Sequence, residues 1–173
     1  MIKLFINRIY RSIKIDPEVF EEVQKDNNAT VAAATVVVLS SLAAGIGASH
    51  LGRVNLFLAP GLSLITWFLW AYIVYFVGVK LFPDKKTKTT HAALLRSIGF
   101  SSAPGMIRIF GFNENLMAVT FVGSALWMLA CMVVAVKQTL NYKSLGKAFG
   151  VVVIAWLVQA FALISILALT RNF

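Results

Sequence analysis

The stretch Leu116-Met-Ala-Val-Thr-Phe-Val-Gly-Ser-Ala-Leu-Trp-Met-Leu-Ala-Cys-Met-Val-Val-Ala-Val136 decides the fold of this chain. It contains 21 residues without a charge and is followed directly by Lys137. A helix of about 20 apolar residues is long enough to cross the roughly 30 Å hydrocarbon core of a bilayer. The stretch therefore predicts a transmembrane helix.

Three more segments, residues 29–48, 56–79 and 148–170, are equally free of charge. A further segment, 92–112, is apolar but contains Arg96, Arg108 and the run Ala103-Pro104-Gly105. Its two arginines are 12 residues apart, about 18 Å along a helix, so each can reach its own membrane interface. We predict an all-α integral membrane bundle of about five transmembrane helices, with spans at about 29–48, 56–79, 92–112, 116–136 and 148–170. A re-entrant third segment remains the alternative.

The composition agrees with a membrane environment. Of the 173 residues, 59% are hydrophobic and 13% are charged, and the mean hydropathy is +0.80. Soluble domains are about half apolar and about one quarter charged. The formal net charge is +9, but the basic residues are scattered between apolar segments, so we expect anionic phospholipid head groups as partners rather than nucleic acid.

The distribution of basic residues predicts the orientation. With five spans, three arginines lie on the C-terminal side, namely Arg53, Arg108 and Arg171. Thirteen basic residues lie on the N-terminal side: Lys3, Arg8, Arg11, Lys14, Lys25, Lys80, Lys85, Lys86, Lys88, Arg96, Lys137, Lys143 and Lys147. The positive-inside rule then predicts a cytoplasmic N-terminus and a C-terminus on the opposite side.

Residues 1–28 are predicted to form a cytoplasmic amphipathic tail that precedes the five-helix domain, residues 29–173. The first fourteen residues repeat apolar side chains at helical spacing: Ile2, Phe5, Ile6, Ile9 and Ile13. This helix is expected either to lie in an anionic leaflet or to dock on the protein's own surface. Asp16 as N-cap, followed by Pro17 and Glu18, predicts a second, short helix that ends near Asn27 and Asn28.

Small and polar residues inside the spans indicate how the helices pack, because close approach and interhelical hydrogen bonds drive association in lipid. Pro104 is expected to kink the third span and to place it centrally. The candidate packing residues are Ser41, Gly45, Ser97, Ser101, Pro104 and Gly105. The candidate lipid, anion or interhelical contacts are Arg96, Arg108, Gln138 and Gln159.

The reactive residues form no recognisable catalytic, cofactor or metal site. All seven acidic residues lie outside the predicted spans, and His50 and His91 fall on opposite sides of the membrane in the predicted topology. The single cysteine, Cys131, excludes an internal disulfide and a thiolate cluster. The sequence therefore predicts a protein that is not an enzyme and has no cofactor.

Three groups of residues resemble the prokaryotic branch of the Yip family, named after Ypt/Rab-interacting proteins. They are Asp16-Pro17-Glu18 with Phe20, the run from Leu94 to Phe100 leading into Ala103-Pro104, and Trp127 followed by the run from Val134 to Tyr142. The resemblance implies about five helices, a cytoplasmic N-terminal tail and a bacterial cytoplasmic membrane. Eukaryotic members are implicated in vesicle traffic and Rab GTPase binding, and their tails carry an acidic–Leu–Tyr–Gly–Pro motif. Asp16 leads directly to Pro17 here, so Rab binding is not implied.

Two hypotheses for function follow. The first is a non-enzymatic membrane interaction or scaffold protein, which packs with partner membrane proteins or with itself, or organises the bilayer. The alternative is a lipid or anion transporter or channel, with a path around the kinked third span.

Overall fold

The computed structural model describes residues 2–51 and 58–170, and the side chains of Leu163 and of residues 165–170 are not described. Arg53 and Arg171, on which part of the predicted orientation rests, lie outside the described residues. Within them the chain is helical and contains no strand. The α-helices are α1 (Ile2–Ile13), α2 (Pro17–Lys25), α3 (Ala29–Gly47), α4 (Leu58–Tyr75), α5 (His91–Ser101), α6 (Glu114–Thr139) and α7 (Leu145–Thr170).

Within residues 2–51 and 58–170, four helical stretches are long and apolar enough to cross a membrane: Ala29–Gly47, Leu58–Leu81, Glu114–Thr139 and Leu145–Ala162. They coincide with the four charge-free segments of the sequence, apart from residues 56 and 57, which are not described. The second stretch consists of α4 and a short π-helix, Phe76–Leu81. The chain is thus a multi-pass membrane protein built on helices.

The third predicted span, 92–112, is not a single long helix. Thr90 caps its start by accepting a hydrogen bond from the Ala93 amide, and α5 then ends at Ser101. A 3-10 helix, Ala103–Phe112, follows. Pro104 has no amide hydrogen to continue the α-helical ladder, which accounts for the change of helix type. The expected kink is therefore a break between two kinds of helix.

The broken segment formed by α5 and the 3-10 helix runs beside α3 in the same direction. Gly99 faces Ala33 near the start of α3, and Gly105 faces Ser40 farther along. A Cβ atom on Gly105 would collide with the Ser40 hydroxyl, so only glycine permits this approach. A Cβ atom on Gly47 would likewise meet the carbonyl group of Arg108. The segment therefore follows α3 from near its first turn to its last residue.

Helix α5 lies at the centre of the bundle, since every residue from Ala93 to Ser101 is buried. One side of α5 contributes to a core shared with α4, α6 and α7. The other side contributes to a second core, to which α2, α3, the 3-10 helix and α6 also contribute. The third segment was expected to lie centrally, and the burial of its first half, α5, agrees with that expectation.

The predicted second tail helix is confirmed as α2, with Asp16 as N-cap and Pro17 in the first turn. Helix α1 packs on α2, α5 and the 3-10 helix. Of the apolar residues expected to share one face, Phe5, Ile9 and Ile13 pack against the second core. Ile2 and Ile6 are exposed instead, and Arg8 and Ser12 are buried. The polar residue Arg8 is drawn inward by partners on α2, described below. We call α1 and α2 together the tail hairpin.

Candidate functional site

The tail hairpin is held together by a cluster of ion pairs. The Arg8 guanidinium lies 2.7 Å from a Glu22 carboxylate oxygen and 2.8 Å from Asp26 Oδ2. Arg11 contacts Asp16 Oδ2 at 2.7 Å and the second Glu22 oxygen at 2.8 Å. Two arginines from α1 therefore clamp one glutamate of α2 between them, a geometry in which charged hydrogen bonds are strong.

The ion pairs shift the acidity of their members. Hydrogen bonds from Arg11 hold the pKa of Asp16 below its ordinary value, and those from Arg8 do the same for the pKa of Asp26. Burial of Arg8 would lower its pKa, but the hydrogen bonds to Glu22 and Asp26 outweigh that effect and raise it. Arg8, Asp16 and Asp26 are therefore charged at neutral pH.

Arg96 joins the tail hairpin to the bundle. Its side chain, on the central helix α5, is 5% exposed and donates from Nε to the Val23 carbonyl at 3.0 Å. It also donates to the carbonyl of Gln24. Both carbonyls belong to the last turn of α2, where helical partners are missing and the helix dipole favours a cation. Arg96 therefore acts as a C-terminal cap supplied by another helix.

Hydroxyl groups continue this junction. Thr139 Oγ1, on α6, donates to Ser97 Oγ at 2.9 Å, and Ser97 Oγ lies 3.4 Å from the Phe20 carbonyl. Thr139, Ser97 and Phe20 are all buried. Three helices, α2, α5 and α6, thus meet through one short hydrogen-bond chain. We call the set Arg8, Arg11, Glu22, Asp26, Arg96, Ser97 and Thr139 the tail–bundle junction.

Arg108, the second predicted arginine, is not part of this junction. It lies on the 3-10 helix and donates from Nε to Ser124 Oγ on α6 at 2.7 Å. Its guanidinium carbon also lies 5.6 Å from the centre of the Phe121 ring. The structure therefore does not bring the two arginines together, and each bonds separately to a neighbouring helix.

The two glutamines are also apart. Gln138 lines a polar cleft of about 370 Å³ between the tail hairpin, the start of α5 and the end of α6, together with residues such as Lys25, Lys88 and Thr90. Gln159 lies half-exposed on α7. A continuous path through Arg96, Arg108, Gln138 and Gln159 is not seen among the described side chains.

The predicted packing residues lie mainly in the interior. Pro104 and Gly105 are buried, as are Gly45, Ser97 and Ser101. Ser101 bonds within its own helix, to the Ile98 carbonyl at 2.7 Å. Ser41 is half-buried, and it is the neighbouring Ser40 that faces Gly105.

Tyr142 holds the loop after α6 in place and is not among the functional residues predicted from the sequence. Its hydroxyl lies 2.7 Å from the Gly78 carbonyl and 2.8 Å from the Phe82 carbonyl, at the π-helix that extends α4. One hydroxyl donates a single proton, so the two carbonyls share it. No sequence signal marks this contact, because the partners are backbone atoms about 60 residues away.

Helix α7 has an open face of small residues, which is likewise not among the features predicted from the sequence. Gly146 and Gly150 are spaced by four, a pattern that permits close helix packing in membranes. A Cβ atom on Gly150 would meet nothing within 4 Å. Gly146 also lines an apolar cleft of about 490 Å³ between α6 and α7, with Leu126, Ala130 and Phe149 among its walls.

The reactive side chains are dispersed. Among the described residues, no group of three His, Cys, Asp or Glu side chains is placed to hold a metal ion. Cys131 is buried against the Ser12 carbonyl. His91 packs edge-on against the rings of Phe68, Tyr72 and Tyr75.

Comparison with known families gives a match over nearly the whole bundle. The model of the Yip1 domain matches residues 11–167, which include most of the tail hairpin and every helix from α2 to α6. The chain belongs to the Yip1 domain family. The Yip1 match begins at Arg11, so the tail–bundle junction lies within the Yip1 domain apart from Arg8. No curated protein sequence and no solved structure matches the chain.

Proposed function

We propose that this Yip1 protein is a non-enzymatic multi-pass membrane scaffold, which packs with partner membrane proteins or with a second copy, or organises the bilayer. The proposal is supported by the hydrogen bonds that the interior polar groups make between helices. Arg96 bonds to carbonyls of α2, Ser97 and Thr139 join α5 to α6, and Arg108 bonds to Ser124. These groups therefore hold helices together, which leaves the outward helix faces for contacts with lipid or protein.

We propose five crossings, with the broken segment His91–Phe112 as the third. Two contacts support its full length: Ser97 meets Thr139 at one end of α6, and Arg108 meets Ser124 fifteen residues earlier on α6. Fifteen residues correspond to about 22 Å along a helix. The thirteen basic residues on the N-terminal side favour a cytoplasmic position for the tail hairpin and for the loops at the same end of the bundle.

The outward faces support a role in association. Large apolar side chains are exposed along α4, α6 and α7, among them Ile65, Val119 and Phe161. These faces already lie in lipid, so covering them with a partner removes no apolar surface from water. Association must then come from close packing between the partner and these faces. The open Gly150 and the neighbouring cleft between α6 and α7 offer such a fit to another transmembrane helix.

The test is gentle extraction in native lipid patches, followed by crosslinking and identification of bound proteins. Gly150→Leu should reduce partner or self-association, because the leucine fills the close-approach surface at a position where a Cβ atom meets nothing within 4 Å. Gly61→Leu on α4 is the matched control, since a Cβ atom there also meets nothing within 4 Å. Absence of any bound protein, of self-association and of a change in membrane shape would refute the proposal.

Transport of a lipid or an anion is the second candidate. The observation that favours it is the polar cleft beside Gln138, which opens near the start of α5. Flux or lipid scrambling in proteoliposomes decides between the two functions. Activity that Arg96→Ala abolishes, and that Lys143→Ala leaves intact, would favour transport; no activity from folded protein would remove it.

A further inference from the structure

The turn between α1 and α2 lies deep along α6. The Trp127 indole donates to the Ile13 carbonyl at 2.8 Å, and the Cys131 thiol lies 3.4 Å from the Ser12 carbonyl. Trp127 is ten residues before Lys137, the first charge after the apolar stretch of α6. Ten helical residues span about 15 Å. The turn therefore lies about that far from the level of Lys137, measured along α6 toward its N-terminal end.

The turn carries charges that face outward. Lys14 is exposed, and its ammonium group lies 4.3 Å from the centre of the Tyr10 ring. The Glu18 side chain is 87% exposed, and that of Asp16 is 28% exposed. Charged groups in contact with hydrocarbon are costly, so acyl chains are a poor covering for this side of the bundle.

The opposite side is apolar at the same level. The Trp70 indole donates to the Met132 sulfur at 3.2 Å, which sets α4 and α6 in a register that places Ile65 level with Trp127. Ile65 is 59% exposed and Leu69 is 54% exposed. Hydrocarbon suits this face as far as Lys80, the first charge after α4.

We propose that the cytoplasmic surface of the bilayer is recessed beside the tail hairpin. Phospholipid head groups and water reach the α1–α2 turn at the level of Trp127, while acyl chains cover Ile65 on the far side of the bundle. The inference rests on the proposed function and orientation. It specifies how the protein organises the bilayer: the boundary between water and hydrocarbon lies at different depths on different sides of the protein. Such a mismatch thins or tilts the neighbouring leaflet.

The test measures thiol reactivity in phosphatidylethanolamine–phosphatidylglycerol vesicles, with a membrane-impermeant maleimide on both sides. Lys14→Cys and Ile65→Cys are each made with Cys131→Ser, so that each protein has one thiol. A thiol in hydrocarbon stays protonated, and the thiolate is the reactive form, so Ile65→Cys should react on the order of 100-fold more slowly than Lys14→Cys. Both should react at similar rates after denaturation.

A second variant verifies that the tail hairpin is docked in the same vesicles. The Ser12 carbonyl lies 3.4 Å from Cys131 Sγ, so the thiol of Ser12→Cys, with Cys131 retained, should be joined to Cys131 by a short bis-maleimide. The proposal is overturned if this crosslink fails, if Lys14→Cys reacts as slowly as Ile65→Cys, or if Ile65→Cys reacts as fast as Lys14→Cys. None of these results affects the association experiment, so the proposed scaffold function can stand or fall separately.

Discussion

The Arg96 guanidinium lies 3.0 Å, from Nε to oxygen, from the carbonyl of Val23, 73 residues earlier in the chain. This contact makes the central helix of the bundle the cap of a tail helix. It couples the position of the tail to the packing of α5, and it can be tested by substitution.

Replacing Arg96 should loosen the tail hairpin. Arg96→Ala leaves the carbonyls of Val23 and Gln24 without their donor, which costs about 1–3 kcal/mol for buried groups. We expect faster proteolysis within residues 14–28 in vesicles, and Arg96→Lys should restore part of the protection. Lys88→Ala, in an exposed loop position, is the control. Unchanged proteolysis in Arg96→Ala would contradict the capping role.

Acid should separate α1 from α2. The pKa values of Asp16 and Asp26 are lowered in the folded state by Arg11 and Arg8, so their contribution to holding α1 against α2 is complete above the ordinary aspartate pKa of about 3.9. It is lost as the pH falls below that value through the lowered pKa values.

The measurement is the mobility of a spin label on α1 as the pH is reduced from about 7 to about 2, below the ordinary aspartate pKa. Asp26→Asn removes one titrating group and should make the contact between α1 and α2 less sensitive to pH. A mobility that stays constant over this whole range in the unsubstituted protein would argue against pairing of α1 and α2 through these ion pairs.

Gly105 and Gly123 offer a matched pair of substitutions. Gly105→Ala places a Cβ atom against the Ser40 hydroxyl and should destabilise the bundle by about 1–3 kcal/mol through overpacking. Gly123→Ala, on α6, meets nothing within 4 Å and should leave stability unchanged or raise it by up to about 1 kcal/mol. Thermal unfolding in detergent compares the two variants. Equal midpoints would show that the 3-10 helix does not approach α3 closely.

The Tyr142 hydroxyl should ionise at a higher pH than an ordinary tyrosine. Burial, assisted by the charge of Asp84, raises its pKa to about 12. Ultraviolet titration should therefore contain a tyrosine component that ionises near that pH, and Tyr142→Phe should remove it. The same substitution removes the hydroxyl shared by Gly78 and Phe82, at a cost of about 1–3 kcal/mol. Tyr10→Phe is the control; loss of the late component in that variant instead would contradict the assignment.

Much of the fold is readable from local sequence. The four charge-free segments coincide with four long helices, because in hydrocarbon every backbone amide must be paired within its own segment. Asp16-Pro17-Glu18 predicted α2 correctly, because capping depends on neighbours in the chain. The burial of Arg8 on α1 was not predictable in this way, since a buried Arg8 is acceptable only when Glu22 and Asp26 lie opposite.

The sequence by itself determined that this chain belongs in a membrane and which segments are long enough to cross it, since both follow from apolar length and charge. Only the tertiary structure decided what the polar residues do. Arg96 could have lined a path or capped a helix, and the choice depends on two backbone carbonyls in a distant part of the chain. Apolar burial is a sum over many residues, whereas a hydrogen bond requires one particular partner at one distance.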